Sequence, residues 1–299
     1  MWKEPQRRYL KIKENHMSIV VNTNVSSLMV QRNLNAANTN VGKTIERLTT
    51  GYKINRAADD AAGLSISQNM LSQVNGTQVA QENTQHGINL LQTAEGDMSV
   101  IQDHLQRIRD LAVQAANGTY STSEKTMLAQ EVQARFKEIT RIANVSQFSD
   151  IPLLSVDNNS ALVLQVGANS GVDNQLDISD ALVKMTATAL DANFSETGIT
   201  AAFATSQAAS NFIGTIDKAI DKVSDARSKI GAYQNRLEST LDSLAIKNEN
   251  LSASLSELRD ADIAKEAAEL TKQQILQQSS ATLLAQANSN PSIALSLLG

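Results

Sequence analysis

The residues of this chain that could do chemistry are few, and their spacing argues against it. The three histidines are His16, His86 and His104. Imidazole ligates metals and moves protons near neutral pH, so a pair on one helix face would matter. His86 and His104 fall on one expected helix about five turns apart, roughly 27 Å, too far to share an ion. Asp59 and Asp60 are an adjacent carboxylate pair, the next candidate for acid–base work. They stand just ahead of a helical pattern with no base beside them, where acids cap free amides and answer the helix macrodipole. Cysteine is absent, which removes thiolate ligands, a Cys nucleophile and any disulfide. No HExxH, phosphate-loop or GxSxG string occurs, so the usual signatures of metalloprotease, nucleotide and serine-hydrolase sites are missing. Strings such as Asn158-Asn159-Ser160 arise by chance in a chain this rich in Asn and Ser. The chain reads as a non-enzyme, with no catalytic, metal-ligating or cofactor-binding residues.

Composition points to architecture instead. Aromatics make up 3% of 299 residues and Pro only 3 positions, whereas a globular enzyme core usually needs more rings. Few rings with Leu/Ile/Ala heptads fit long helices packed side by side. The net charge of -5 argues against nucleic acid as a partner. No run approaches the roughly 18 apolar residues of a membrane span, so membrane insertion is not expected. No apolar signal region follows the N-terminus, so export would need another route.

The end of the chain, about 259–299, is rich in Ala, Gln, Leu and Ser. Leu276 and Leu283 stand seven apart, and Leu270, Ile275, Leu284 and Ala287 widen the stripe. A helix with one apolar stripe must bury it. The matching stretch lies at the other end, where Leu34, Val41 and Leu48 repeat at seven beside Ile45. The two termini are therefore expected to pair, with each other or with neighbouring copies.

Residues 1–16 hold the only Trp, and five Lys/Arg against two Glu give them a formal charge of +3. They read as a tag or misassigned start, with the cell's protein beginning at Met17. Lys13-Glu14 written AAG GAG would be a ribosome-binding sequence suitably spaced from that Met. From 17 to 60 come N-cap candidates Asn22, Thr23 and Asn24, the first heptad helix, a Gly51 stop and a polar connector. A long helix is expected over about 61–116, on the seam Leu91, Ala94, Met98, Ile101, Leu105, Ile108, Ala112 and Ala115. Asn117-Gly118 is expected to end it with a left-handed glycine. Ser121 and Glu124 form a capping box for a helix over about 122–145 that buries Leu128, Val132, Phe136, Ile139 and Ile142. Residues 148–185 carry β signals: a strand at 161–166, a turn at Gly167–Gly171 and a return at 174–180. Residues 185–210 show weak periodicity. The third long helix spans about 211–258, with Arg227, Gln234 and Asn248 as polar seam positions that weaken packing but fix register. The expected fold is mainly α: an elongated antiparallel helical bundle or coiled-coil rod over 61–258, with a small β-hairpin region, and an inner helical part made of 17–60 and 259–299. On the second helix, Arg107 and Leu111 are four apart and are expected on one outer face.

The strings NTNVSSL, LNAAN, IERLTTGYKINRAADDAAGLSIS, LQTAEGDM, LQRIRDLAVQAANGTYS, LQVGAN and QILQQSSATLLAQAN…ALSLL run in order through the chain. With them the sequence resembles bacterial flagellin, in a minimal form with almost no variable outer domain. Gly299 stands where many members end in a basic residue, and residues 1–16 match nothing in the family. The resemblance implies a secreted, extracellular subunit that polymerises with copies of itself into the hollow flagellar filament that serves motility. It implies export by the flagellar type III apparatus, a chaperone on the C-terminal helix, and filament-cap and hook-junction proteins as partners. The polymerisation core would include Leu34, Val41, Leu48, Leu276, Leu283, Leu295, Leu297 and Leu298. It also implies recognition by Toll-like receptor 5, with the contact motif falling on Gln106, Arg107, Leu111, Gln114, Glu131 and Arg135. The alternative is a hook–filament junction protein, which shares the terminal design. A protease in the variable domain has neither room nor an HExxH string.

Overall fold

The computed structural model describes residues 23–155 and 162–296, with side chains of the last helix described to Asn290. The arm at 1–16, the start at Met17, Asn158–Ser160, Ala161, Leu297 and Leu298 lie outside the described residues, as does the side chain of Leu295. The chain is mainly helical and divides into two compact units. One takes the chain up to Ile66 and from Ser256 onward; the other is Ser67–Leu255.

In the first unit, α1 (Val25–Thr50) pairs antiparallel with α7 (Ile263–Ser296). Asn24 caps α1, its side chain accepting from the Ser27 amide, and Gly51 ends it at φ 75°, the left-handed conformation glycine adopts without strain. Direction and register are set by bonds near both ends. Asn24 Nδ2 donates to the Ala287 carbonyl at 2.7 Å, Ser27 Oγ to Asn288 Oδ1 at 2.6 Å, and Arg47 meets Glu266 at 3.3 Å. The least exposed positions of α1 are Ser27, Val30, Leu34, Ala37, Val41, Thr44 and Leu48; those of α7 are Glu266, Leu270, Gln273, Gln277, Ser280, Leu284 and Ala287. Both series alternate at three and four, a heptad seam. Leu276 and Leu283 are not in it: they are 45% and 58% exposed, and Ile275 is 61% exposed. The expected stripe is thus displaced in part: Leu270, Leu284 and Ala287 lie on the seam, while Ile275, Leu276 and Leu283 lie outside it. Leu34, Val41 and Leu48 face the partner helix, whose seam interleaves those residues with Gln273, Gln277 and Ser280.

The connectors of this unit are joined by backbone. Tyr52 bridges Asp260, Lys53 N–H donates to the Arg259 carbonyl at 2.7 Å, and Ala261 N–H to the Gly51 carbonyl at 2.8 Å. Arg259 lies 4.0 Å over the Tyr52 ring. Asp60 Oδ1 accepts from the Gly63 amide at 2.9 Å, and Asp59 Oδ2 from the Arg56 amide at 3.1 Å. Asp60 caps α2, and Asp59 closes the turn of the connector ahead of it. Gly63 is close-packed: a Cβ there would lie 2.8 Å from the Ile54 side chain.

In the second unit, α2 (Ala61–Ala116), α3 (Thr122–Val145) and α6 (Ser206–Arg259) contribute to one core. The expected α2 seam, Leu91 through Ala115, is fully buried. Leu111 is also buried, at 1%, against the expected outer face. Packing two helices on α2 demands a stripe wider than a two-helix seam. Ser121 and Glu124 make the full capping box at α3. Gly118 does not take the expected left-handed conformation; among the described residues only Gly51 and Gly171 are glycines at positive φ. Instead the Asn117 amide donates to the Gln114 carbonyl at 3.2 Å, tightening the last turn, and Asn117 Oδ1 accepts from the Thr119 amide at 3.2 Å.

α6 starts at Ser206, earlier than expected. Its polar seam residues meet α2: Arg227 bonds Gln102 and lies 3.7 Å from Glu95, and Gln234 donates to Glu95 at 3.1 Å. Rising numbers on α2 pair with falling numbers on α6, so the two run antiparallel. Between α3 and α6, β1 (Gln147–Phe148) and β2 (Ile151–Pro152) form a hairpin, with Ser149 and Asp150 at φ 47° and 65° in its turn. A second hairpin pairs β3 (Val163–Gln165) with β4 (Gln175–Asp177), Leu164 opposite Leu176. Leu164 seats on Gly87 of α2, where a Cβ would come within 2.4 Å of it. The weakly periodic 185–210 segment holds α4 (Ala187–Leu190) and α5 (Glu196–Ala202). It buries Phe194, Ile199 and Phe203, with Phe194 stacked on Phe136 at 4.3 Å between centroids.

Candidate functional site

Two surfaces stand out, one in each unit. The first is what the α1–α7 pair leaves uncovered. Val25, Leu28, Met29 and Ile45 on α1, and Ile263, Ile275, Leu276 and Leu283 on α7, are each 45–62% exposed. Scattered surface aliphatics are ordinary, but this many on one two-helix element make it the candidate interaction surface. Their source is local: a single two-helix seam covers Val30, Leu34, Val41, Leu48, Leu270 and Leu284 only in part and leaves the aliphatics at other heptad positions outside. Of the expected polymerisation residues, Leu276 and Leu283 belong to this outer set, while Leu34, Val41 and Leu48 are half-buried on the seam.

The second surface lies along α2 and α3. Arg107, half-exposed, reaches Glu131 at 3.5 Å, and Glu131 is held by Arg135 at 2.9 Å. Arg135 Nη1 approaches His104 Nδ1 at 3.5 Å. Four charged or ionisable groups thus alternate across the helix pair. Gln114 donates to the Tyr120 hydroxyl at 2.8 Å, and Gln106 is exposed. The structure brings Arg107, Glu131 and Arg135 together and removes Leu111 from their face. His104 is the member that sequence reasoning missed. Its place three residues before Arg107, and seven before the buried Leu111, was the available signal. His86 is exposed and lies outside this cluster.

Neither surface contains machinery for catalysis. Among the described residues no group of three or more His, Cys, Asp or Glu gathers around a metal-sized space. One shallow groove of about 580 Å³ is lined by Gln133, Glu196, Thr197, Thr200, Ala201 and Ala204. Among the described residues no helix is long and apolar enough to cross a membrane.

A helical pair with exposed aliphatics and a separate helical unit with its own core define a mainly helical chain of the structural kind. Two family patterns match it: the bacterial flagellin N-terminal helical region over residues 21–159 and the C-terminal helical region over 213–298. It is 39% identical to flagellin FlaB1 of Treponema pallidum and 41% identical to the flagellin of Halalkalibacterium halodurans, in each case over 94% of this chain and 100% of the relative. A putative flagellar hook-associated protein from Vibrio parahaemolyticus shares the fold, at a TM-score of 0.57 and 16% identity, covering 68% of this chain and 100% of that one. The chain belongs to the bacterial flagellin family: a structural filament protein, not an enzyme.

Proposed function

We propose that this chain is the subunit that polymerises, copy against copy, into the extracellular flagellar filament, with the outer aliphatics of α1 and α7 as contacts between copies. The observation that carries this reading is that Leu28, Met29, Leu276 and Leu283 are 45–58% exposed on a helix pair whose fully buried seam positions are only Ala37, Thr44, Gln273 and Ala287. Full burial of such a side chain is worth about 1.5–3 kcal/mol, so covering the exposed half of each against neighbours is worth about 1 kcal/mol, and a polymer repeats that gain in every subunit. Leu295, Leu297 and Leu298, whose side chains lie outside the described residues, are assigned to the same polymerisation core from the family resemblance. Export by the flagellar type III apparatus, a chaperone holding α7 before assembly, and cap and junction proteins at the filament ends complete the reading. The Arg107–Glu131–Arg135 cluster with Gln106 and Gln114 is the surface offered to Toll-like receptor 5. Leu111, being buried, would support that surface from beneath. Salting-out purified monomer and imaging by negative stain is the test. Long tubes are expected; short caps or no polymer would favour a junction protein.

A further inference from the structure

The chain contains two Asn-Gly pairs in described regions, Asn75-Gly76 and Asn117-Gly118, and the fold treats them in opposite ways. Asn-Gly is the dipeptide most prone to spontaneous deamidation, because glycine has no side chain to hinder attack of its amide nitrogen on the preceding carboxamide, and its backbone is permissive. The attack needs a free amide and a backbone able to leave helical geometry.

Asn75-Gly76 lies in the interior of α2, where each amide is held by the carbonyl four residues back, and a Cβ on Gly76 would lie only 3.0 Å from Ala168. Asn117-Gly118 lies in the exposed turn between α2 and α3. No atom lies within 4 Å of a Cβ built on Gly118, and among the described residues the Gly118 amide has no hydrogen-bond acceptor. The Asn117 carboxamide is oriented by one bond, from the Thr119 amide at 3.2 Å, which polarises its carbonyl carbon toward a nucleophile.

We infer that Asn117 is a self-modification site: a carboxamide that converts to aspartate and isoaspartate as the protein ages, while Asn75 in the same chain is protected. The Gly118 nitrogen, losing its proton to solvent, bonds to Asn117 Cγ. The C–N bond of the carboxamide breaks and ammonia leaves, giving a five-membered succinimide. Water then opens the ring at either carbonyl, leaving aspartate or, with one extra methylene in the main chain, isoaspartate. No oxidant or cofactor enters. Either product places a carboxylate just past the C-terminus of α2, where the macrodipole disfavours negative charge. The isoaspartate also lengthens the four-residue turn between Ala116 and the cap Ser121, beside the Gln114–Tyr120 contact.

The test is to incubate the full chain, warm and at mildly alkaline pH, and to follow both peptides by mass spectrometry, with isoaspartyl methyltransferase as the probe of the isomer. Conversion at Asn117 with Asn75 intact is expected. Gly118→Ala is the second variant. The site has room for the methyl group and no positive φ, so the variant keeps its helix signal and thermal unfolding while conversion at residue 117 is largely lost. Equal conversion at both pairs would overturn the protective role of the fold. An unconverted Asn117 in the native chain, with conversion in the excised peptide, would overturn the site itself. Undiminished conversion in the folded Gly118→Ala variant would overturn the route through the Gly118 nitrogen.

Discussion

The two units are both built from heptads, yet only one is filled like a core. In the second unit the α2 seam presents Leu91, Met98, Ile101, Leu105 and Ile108, all at 0% exposure. In the α1–α7 pair the buried seam residues are Ala37, Thr44, Gln273 and Ala287. A seam position holding Ala where the other holds Leu forgoes roughly 2 kcal/mol, at about 0.8 kcal/mol per buried methylene. The same periodicity thus specifies a self-sufficient body in one place and a marginal pair in the other. Short of packing partners, isolated helices in water are weak, and the pair's larger side chains point to where further partners would sit.

The comparison breaks most visibly in assembly. Leu276→Ser with Leu283→Ser should abolish tubes in the salting-out assay while leaving the thermal unfolding of the second unit unchanged. Normal polymerisation by that variant would show the outer aliphatics of α7 to be idle. Hydrogen exchange sharpens the same contrast. Residues 23–50 and 265–296 should exchange freely in monomer and slowly in filament, whereas α2, α3 and α6 stay protected in both; slow exchange of the termini in a verified monomer would overturn the view of them as marginal. For single substitutions, Leu105→Ala should cost about 2–5 kcal/mol of unfolding free energy, measured by denaturant. Leu34→Ala, half-buried on the polar seam, should leave that transition where it is. Arg107→Ala should move stability by no more than about 0.5 kcal/mol but lower Toll-like receptor 5 signalling strongly; a folded variant that signals normally would remove Arg107 from that surface. The smallest effect is at the α3 cap. The backbone amide and hydroxyl of Ser121 hold the Glu124 carboxyl below its usual range. A depressed folded-state value means that this contribution is present above the ordinary carboxylate pKa and fades as pH falls through the lowered one. Glu124→Gln should therefore flatten the acid limb of α3 helicity slightly, as read by an acid titration.

The sequence carried most of the second unit openly. Strict seams, a capping box and β signals are local statements, and Leu91 through Ala115, Ser121 with Glu124, and the strands at Val163–Gln165 and Gln175–Asp177 fall within the stretches those statements marked, while the pairing of Leu164 with Leu176 came from the structure. What it hid was set by neighbours. Leu111 lies inside because α2 packs against two helices at once, which a seven-residue repeat alone does not announce. The seam of α7 joins Leu270 and Leu284 through Gln273, Gln277 and Ser280, in the register that the bonds from Asn24 and Ser27 hold; reading the leucine heptad alone selects Leu276 and Leu283 instead. Phe194, Ile199 and Phe203 fall in or beside elements of one or two turns, too short to show a helical period, so no pattern gathers them. At the charge cluster, Arg107, Glu131 and Arg135 were legible from motif resemblance, while His104 needed the partner helix to be placed.

The bond from Asn24 to the carbonyl of Ala287 joins positions 263 residues apart. Closing a flexible loop of that size costs about 5 kcal/mol beyond a constant term, more than a seam of Ala, Thr and Gln readily returns. Contacts of such long range form late, after local pairings have shortened the chain between them. The helical hairpin of α2 and α3 can form as soon as both have been made, but α1 must wait for α7. In synthesis α1 leaves the ribosome before α2, α3 and α6, and α7 after them, so α1 waits through the making of the whole second unit without its partner. The α1–α7 pair is thus the last of these elements to become a structure, and the order in which the chain is written makes it so.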